Sequence, residues 1–263
     1  MIHTNLGLDN QFFLFKSIFL NKIMTHKLKP YQNADIIELG IDEAGRGCLF
    51  GDLFVAGVIL PNNIEELIDI NKVTIKDSKK MSKKKRIISQ EFIKNHAIDY
   101  HIVQVTSKTI DEKNILCSTL NGMHDVVKNI KTKPNKILVD GNKFNDYYDE
   151  NNQKIEHECI IGGDDSYLSI AAASILAKTA KDEYIEKIVK ENPELEKYGL
   201  LTNSGYGTKK HIEAINEFGI SEWHRKTYSI CDKEKSKLKK EKKIQKKEEE
   251  YNQKIIKNYF DQI

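Results

Sequence analysis

Apolar and polar positions along the chain alternate between short runs and longer periodic stretches. Ile36 to Asp42 is an apolar run ending in acid, and Leu53 to Leu60 (LFVAGVIL) is a second run, closed by Pro61-Asn62-Asn63. Tyr100 to Thr106 alternates as a half-buried strand does. Thr109 and Glu112 have capping-box spacing. Leu116, Leu120, Met123, Val127 and Ile130 follow at steps of four and three, which predicts an amphipathic helix. Lys136 to Asp140 (KILVD) reads as a short strand stopped by Gly141-Asn142, and Ile155 to Ile161 as another ended by Gly162-Gly163. From Ser166 to Lys190 an Ala-rich helical pattern runs without Gly or Pro, and Thr208 to Phe218 predicts a shorter helix stopped at Gly219. Strands followed by helices without an internal repeat predict an α/β or α+β fold.

The ends of the chain read differently. Residues 1–33 form an acid-poor N-terminal extension with an apolar stretch from Phe12 to Ile23. A targeting peptide and a start at Met24 are both open readings. A folded body is expected over residues 34–231 and a Lys/Glu-rich tail over 232–263, solvated helix or disordered. The tail carries 11 Lys against 7 Asp and Glu, leaving 31 basic and 32 acidic residues elsewhere. The formal net charge of +3 therefore belongs to the tail, and nucleic-acid contact by the body must come from local patches.

Four dispersed cysteines without a C-x-x-C pair argue against a disulfide scaffold or zinc site and for a reducing compartment. No apolar run is long enough to span a membrane. These features predict an intracellular, non-secreted protein, cytoplasmic or, in a eukaryote, nuclear.

Candidate chemistry collects at three strand ends. Asp42-Glu43 is followed at once by Gly45-Arg46-Gly47, a bare turn that lets a ligand approach the backbone. Asp140 ends the Lys136 to Asp140 run, and Asp164-Asp165 precede the long helix. Taken singly, Asp140 reads as a turn residue and Asp164 or Asp165 as a helix N-cap. Together they match the oxygen-rich environment that hard divalent cations require, and pairs of Mg²⁺ about 3.5–4 Å apart recur in phosphodiester displacement. Ser174 and Lys178, four residues apart on one helix face, are placed to reach one phosphate; close packing with a surface lysine is the plainer reading. Lys76 to Lys80 with Lys83 to Arg86 form a basic patch, suited to phosphate or merely solvated. Tyr206, between Gly205 and Gly207, is an aromatic ring on a loop, suited to stacking on a base or sugar, or an ordinary turn.

In this order the segments resemble the ribonuclease HII family (type 2 ribonuclease H). The resemblance covers about Ile36 to Tyr228. It rests on Asp42 to Gly47, Asp77-Ser78-Lys79-Lys80, Ile110-Asp111 with Asn114-Ile115-Leu116, Val139 to Asn142, Gly163-Asp164, Ala172 to Lys178, Gly205 to Thr208 and His224-Arg225. It implies a ribonuclease H-like α/β fold, a mixed central sheet flanked by helices with a small C-terminal helical region. It implies a monomeric endonuclease that uses two Mg²⁺ or Mn²⁺ ions to cut the RNA strand of RNA–DNA hybrids and duplex DNA at embedded ribonucleotides, leaving 5′-phosphate and 3′-hydroxyl ends. Asp42, Glu43, Asp140 and Asp164 would bind metal. Gly45, Arg46 and Gly47 would contact the ribose 2′-hydroxyl, Tyr206 would stack on the neighbouring deoxyribose, and Ser78, Lys79, Ser174 and Lys178 would contact substrate. Two positions depart from the family pattern: Gly162 stands where Lys is usual before Gly-Asp, and Ser204 where Lys is usual before Gly-Tyr. The sister family ribonuclease HIII typically reads Gly-Lys-Gly at the first turn, so Arg46 favours HII. A silent hybrid-binding protein and a related nuclease acting on branched DNA are the competing readings.

The last residues, Gln253-Lys254-Ile255-Ile256-Lys257-Asn258-Tyr259-Phe260, are similar to the clamp-binding peptide of replication proteins. One helical turn would present Ile256, Tyr259 and Phe260 with Gln253 to a sliding clamp of the PCNA type. A short amphipathic helix docking on the body is the alternative.

Overall fold

The computed structural model describes residues 28–232. The peptide Gln253, Ile256, Tyr259 and Phe260 lies outside the described residues, as do the apolar stretch from Phe12 to Ile23 and Met24. The described fold begins ahead of residue 34. Leu28 is buried in the core, and Lys29 pairs its backbone with Ser166 and Leu168.

Six strands make one mixed sheet: β1 Glu38–Ala44, β2 Leu53–Ile59, β3 Asp99–Val105, β4 Lys136–Asp140, β5 Tyr147–Tyr148 and β6 Lys154–Ile160, in the order β3-β2-β1-β4-β6-β5. β2 runs antiparallel to β1 and β3, whereas β1, β4 and β6 run parallel to one another. In register Ile41 pairs with Val139, and Asp140 with Ile160. The carboxyl ends of three neighbouring strands therefore open at one edge, where open α/β sheets bind ligands.

The helices are α1 Ile64–Asn71, α2 Lys83–His96, α3 Ser107–Lys113, α4 Ile115–Asn129, α5 Leu168–Glu191, α6 Leu200–Asn203 and α7 Lys209–Phe218. Each face of the sheet holds a hydrophobic cluster. One contains Phe54, Ala56 and Val58 with Ala171 to Ala173, Ile175 and Leu176 of α5. The other contains Leu39, Ile41, Val55 and Ile137 with Met123, Val126 and Val127 of α4. Small residues allow both approaches. A Cβ on Gly40 would fall 2.3 Å from the Ser169 carbonyl carbon, and one on Gly57 would fall 2.4 Å from Val126 Cγ1. A third cluster joins Leu49 and Phe50 to Ile185, Leu195, Tyr198, Leu200, Ala214 and Ile215, which makes the expected C-terminal helical region.

One boundary differs from the sequence reading. Thr109 does not open the long helix; Thr106 caps α3 by accepting from the Thr109 amide. Asn114 then interrupts the chain at φ 68° and caps α4 by accepting from Cys117 N. Asn tolerates positive φ better than most residues, so it separates two helices where the apolar pattern alone suggests one. The face of α4 that packs deepest runs through Thr119, Gly122, Met123 and Val126, so Leu116 and Leu120 sit at its margin, half-buried.

Candidate active site

β1 carries Asp42 and Glu43 to the open edge of the sheet, and β4 carries Asp140 beside them. β6 turns at Gly162, where φ is 68°, into the 3₁₀ turn Gly163–Asp165 that holds Asp164. The Gly163 amide donates to Asp140 Oδ1 at 2.7 Å, which locks this turn against the end of β4. Asp42, Asp140 and Asp164 each offer an oxygen within 4.8 Å of the others. Glu43 stands beside this triad with its Oε1 3.2 Å from Arg46 Nη1.

The electrostatics are those of a site short of positive charge. Burial drives the Asp42 carboxyl well above its ordinary value, with the Glu43 and Asp140 charges adding to the rise and a Ser174 hydrogen bond opposing it. Burial also raises Glu43, against the pull of Arg46. Asp164 is raised by burial, with Lys79 opposing. Lys79 Nζ is 3.4 Å from Asp164 Oδ2. Desolvation works against the Lys79 charge, but Asp164, Asp42 and Asp77 together raise its pKa. Several partly buried carboxylates converging with one lysine make a donor set that fits hard divalent cations such as Mg²⁺ or Mn²⁺.

The other sequence candidates divide. Ser78 and Ser174 meet at 3.0 Å beneath the carboxylates, both buried. Lys178 donates to Asp182 Oδ1 at 2.6 Å, and Asp182 also accepts from Arg86 at 3.0 Å. The polar atoms of Ser174 and Lys178 thus engage different partners instead of converging on one point. The basic patch is partly committed to ion pairs: Lys80 with Asp165 and Asp77, Lys83 with Glu186.

The Gly45-Arg46-Gly47 turn and the Tyr206 loop face each other. Leu49 N donates to Gly205 O at 2.8 Å, and Cys48 and Tyr206 form an isolated antiparallel bridge. A Cβ on Gly47 would lie 3.8 Å from Tyr206 Cε1. Tyr206 is 41% exposed, and burial of its inner edge beside Cys48 pushes its hydroxyl up to about 12.

The residues that brace this surface from behind have no role legible in the sequence. The Arg46 carbonyl accepts from Arg225 Nη1 at 2.9 Å and from the Tyr228 hydroxyl at 2.7 Å. Arg225 is fully buried and also donates from Nε to Gly51 O. Asp111 holds the strand of chain that delivers it, accepting from the Lys226 and Thr227 amides. The only signal for Arg225 in the sequence is its place in the His224-Arg225 pair.

A family profile described as Ribonuclease HII matches residues 39–231. The chain is 42% identical to a ribonuclease HII of Cytophaga hutchinsonii over 212 residues, 80% of this chain and 98% of that protein. It is 44% identical to one of Christiangramia forsetii over 200 residues, covering 76% of this chain and 94% of that protein. The ribonuclease H2 of Pyrococcus horikoshii superposes with a TM-score of 0.62 at 26% identity, covering 78% of this chain and 100% of that one. The RNase HII solved with PCNA from Archaeoglobus fulgidus shares the fold, with a TM-score of 0.57 at 24% identity over 73% of this chain and 95% of that one. Sequence, fold and carboxylate site agree: the chain belongs to the ribonuclease HII family of metal-dependent endonucleases.

Proposed function

We propose that this protein cuts the RNA strand of RNA–DNA hybrids and incises duplex DNA at a single embedded ribonucleotide, leaving 5′-phosphate and 3′-hydroxyl ends. The carrying observation is the placement of a carboxylate triad next to a bare turn that faces an aromatic ring. Asp42, Asp140 and Asp164 hold divalent metal, Mg²⁺ or Mn²⁺ and two ions in the full complex, with Glu43 as the fourth ligand. Metal held by these residues would supply the means to activate water and to neutralise charge developing on the phosphodiester. Ser174 orients Asp42 by hydrogen bonding. Lys79 is the cation closest to hand for a substrate phosphate next to Asp164. Peptide groups of the Gly45–Gly47 turn, steadied through the Arg46 carbonyl, contact the ribose 2′-hydroxyl, the group that separates RNA from DNA. Tyr206 stacks on the following sugar. In this role Ser78 acts from beneath the site, and Lys178 contacts substrate only if it leaves Asp182.

A duplex with one ribonucleotide tests this reading. It is expected to be cut only when Mg²⁺ or Mn²⁺ is added, on the 5′ side of the ribonucleotide, while an all-DNA duplex of the same sequence stays intact. Equal cutting of the all-DNA duplex would point instead to a branched-DNA nuclease of this fold. Binding without cutting would point to a silent hybrid-binding protein.

The four cysteines are free thiols, and among the described residues no helix is long and apolar enough to cross a membrane. Free thiols suit the reducing interior where the proposed substrates occur. We extend the proposal to the C-terminal peptide, on its sequence alone: Gln253, Ile256, Tyr259 and Phe260 engage a trimeric sliding clamp. Truncation after Asn252 is expected to abolish clamp capture and leave cleavage of a short substrate unchanged. Undiminished capture by the truncated chain would refute the assignment.

A further inference from the structure

Lys181 is the one lysine that the described structure buries completely. Among the described residues no carboxylate lies within ion-pair distance of its ammonium group, although burying an uncompensated charge is costly. Leucine would fill this position without that cost, so the cation's specific contacts matter. The side chain reaches the turn, the facing loop and the ring. Its Nζ donates to the Ser204 carbonyl, at the base of the Tyr206 loop. The same nitrogen lies 5.1 Å from the centroid of the Tyr206 ring, within cation–π range. Its Cε and Cδ lie 3.0 and 3.1 Å from where a Cβ of Gly45 would stand, so the bare turn rests directly on this side chain. Gly45 has φ +105° as well. One side chain therefore touches the start of the turn, the root of the facing loop and the ring between them. The Cys48 thiol donates to the same Ser204 carbonyl at 3.5 Å, closing the knot from the turn's side.

The position of Lys181 along α5 adds to this. It follows Ser174 by seven residues, two helical turns, so both side chains leave the same face about 10 Å apart. Ser174 meets the carboxylate site, and Lys181 meets the turn and the ring. One rigid helix thus sets the distance between the cutting site and the surface that inspects the sugar.

We propose that Lys181 is a positioning residue that holds Tyr206 against the Gly45–Gly47 turn and so sets the preference for a ribonucleotide followed by DNA; this rests on the substrate reading given above. The cutting machinery does not touch Lys181, so its loss acts on discrimination before it acts on chemistry.

The test compares kcat/KM on a duplex with one embedded ribonucleotide against a uniform RNA–DNA hybrid. Lys181→Met is expected to lower the ratio of the two by about ten- to a hundredfold, the scale of a misplaced recognition group. Lys181→Arg, which keeps a buried cation and donor, is expected to recover most of it. In a Tyr206→Ala background Lys181→Met should change the ratio no further. An unchanged ratio in the single variant, or an undiminished loss in the Tyr206→Ala background, overturns the proposal. A second readout is independent of cleavage: the ring resonance of isotope-labelled Tyr206, assigned by its loss in Tyr206→Phe. It should shift in Lys181→Met and return in Lys181→Arg, and an unmoved resonance overturns the placement. If the wild type shows no preference for the embedded ribonucleotide, the substrate reading fails, while the ring resonance still decides whether Lys181 places Tyr206. Should Lys181→Met not fold, Lys181→Gln, which keeps a donor for Ser204 and removes the charge, is read in its place.

Discussion

Asp42→Asn is expected to abolish cleavage while leaving hybrid binding in place and making the metal-free protein more stable. Removing one carboxylate from the triad costs several kcal/mol of transition-state stabilisation, a rate loss of at least about a hundredfold. Binding survives because the turn, Tyr206 and the basic patch are untouched. The stability change follows from the buried charge. The folded-state pKa of Asp42 is raised by burial first and by Glu43 and Asp140 next. Its contribution to stability is therefore fully present below the ordinary carboxylate pKa and is lost as pH rises through the raised folded value. Above that value the metal-free wild type holds a buried, repelled carboxylate that Asn replaces with a neutral group of the same shape. Melting curves at about pH 5 and about pH 8 should show the variant gaining on the wild type at the higher pH. Added Mg²⁺ or Mn²⁺ should raise the wild-type Tm by mass action and the variant's much less. A variant that cuts at the wild-type rate would remove Asp42 from the chemistry, and one that is less stable than wild type at the higher pH would contradict the charge argument.

Gly40→Ala is expected to destabilise the fold by about 3 kcal/mol or more, because overpacking here meets backbone rather than a side chain able to rotate. The new Cβ would lie 2.3 Å from the Ser169 carbonyl carbon and 2.5 Å from the Ile170 amide nitrogen, both at the start of α5. β1 is pinned between β2 and β4, and the first turns of α5 are buried throughout, so neither can yield alone. For a domain of this size the loss corresponds to about 10 °C in Tm, or to a chain that does not fold. Because α5 also carries Ser174 and Lys181, any surviving protein should lose activity more steeply than stability. Denaturant unfolding read together with cleavage checks both. Wild-type stability would mean that α5 does not lie as close to β1 as described.

The two variants separate what is legible in the residues from what is not. Lys136 to Asp140 reads as a strand from its apolar run and its Gly-Asn stop, and it is β4 residue for residue. The Ala-rich stretch without Gly or Pro reads as one long helix, and α5 is that helix. The carboxylates are visible for a similar reason: Asp42 and Asp140 close apolar runs and Asp164 follows a Gly-Gly stop, relations within a few residues that the chain displays directly. The Thr109 boundary is misread because Asn114, one residue able to take positive φ, breaks an otherwise continuous helical pattern.

Lys181 and Arg225 are illegible in a stronger sense. Each looks like an ordinary surface cation, and nothing within four residues marks either as buried. Their burial comes from Gly45, Ser204 and Tyr206 in one case and from Arg46 and Gly51, far earlier in the chain, in the other. Nor does spacing show that Ser174 and Lys178, neighbours on one helix face, turn to Ser78 and Asp182. The chain's local patterning therefore specifies its strands, its helices and the residue types that can bind metal. The parallel register of β1 with β4, and the approach of α5 to Gly40, bring Asp42, Asp140 and Asp164 within 4.8 Å. Periodicity reports which face of an element is apolar, whereas convergence of distant side chains depends on how elements stack, and stacking is decided only when the core closes.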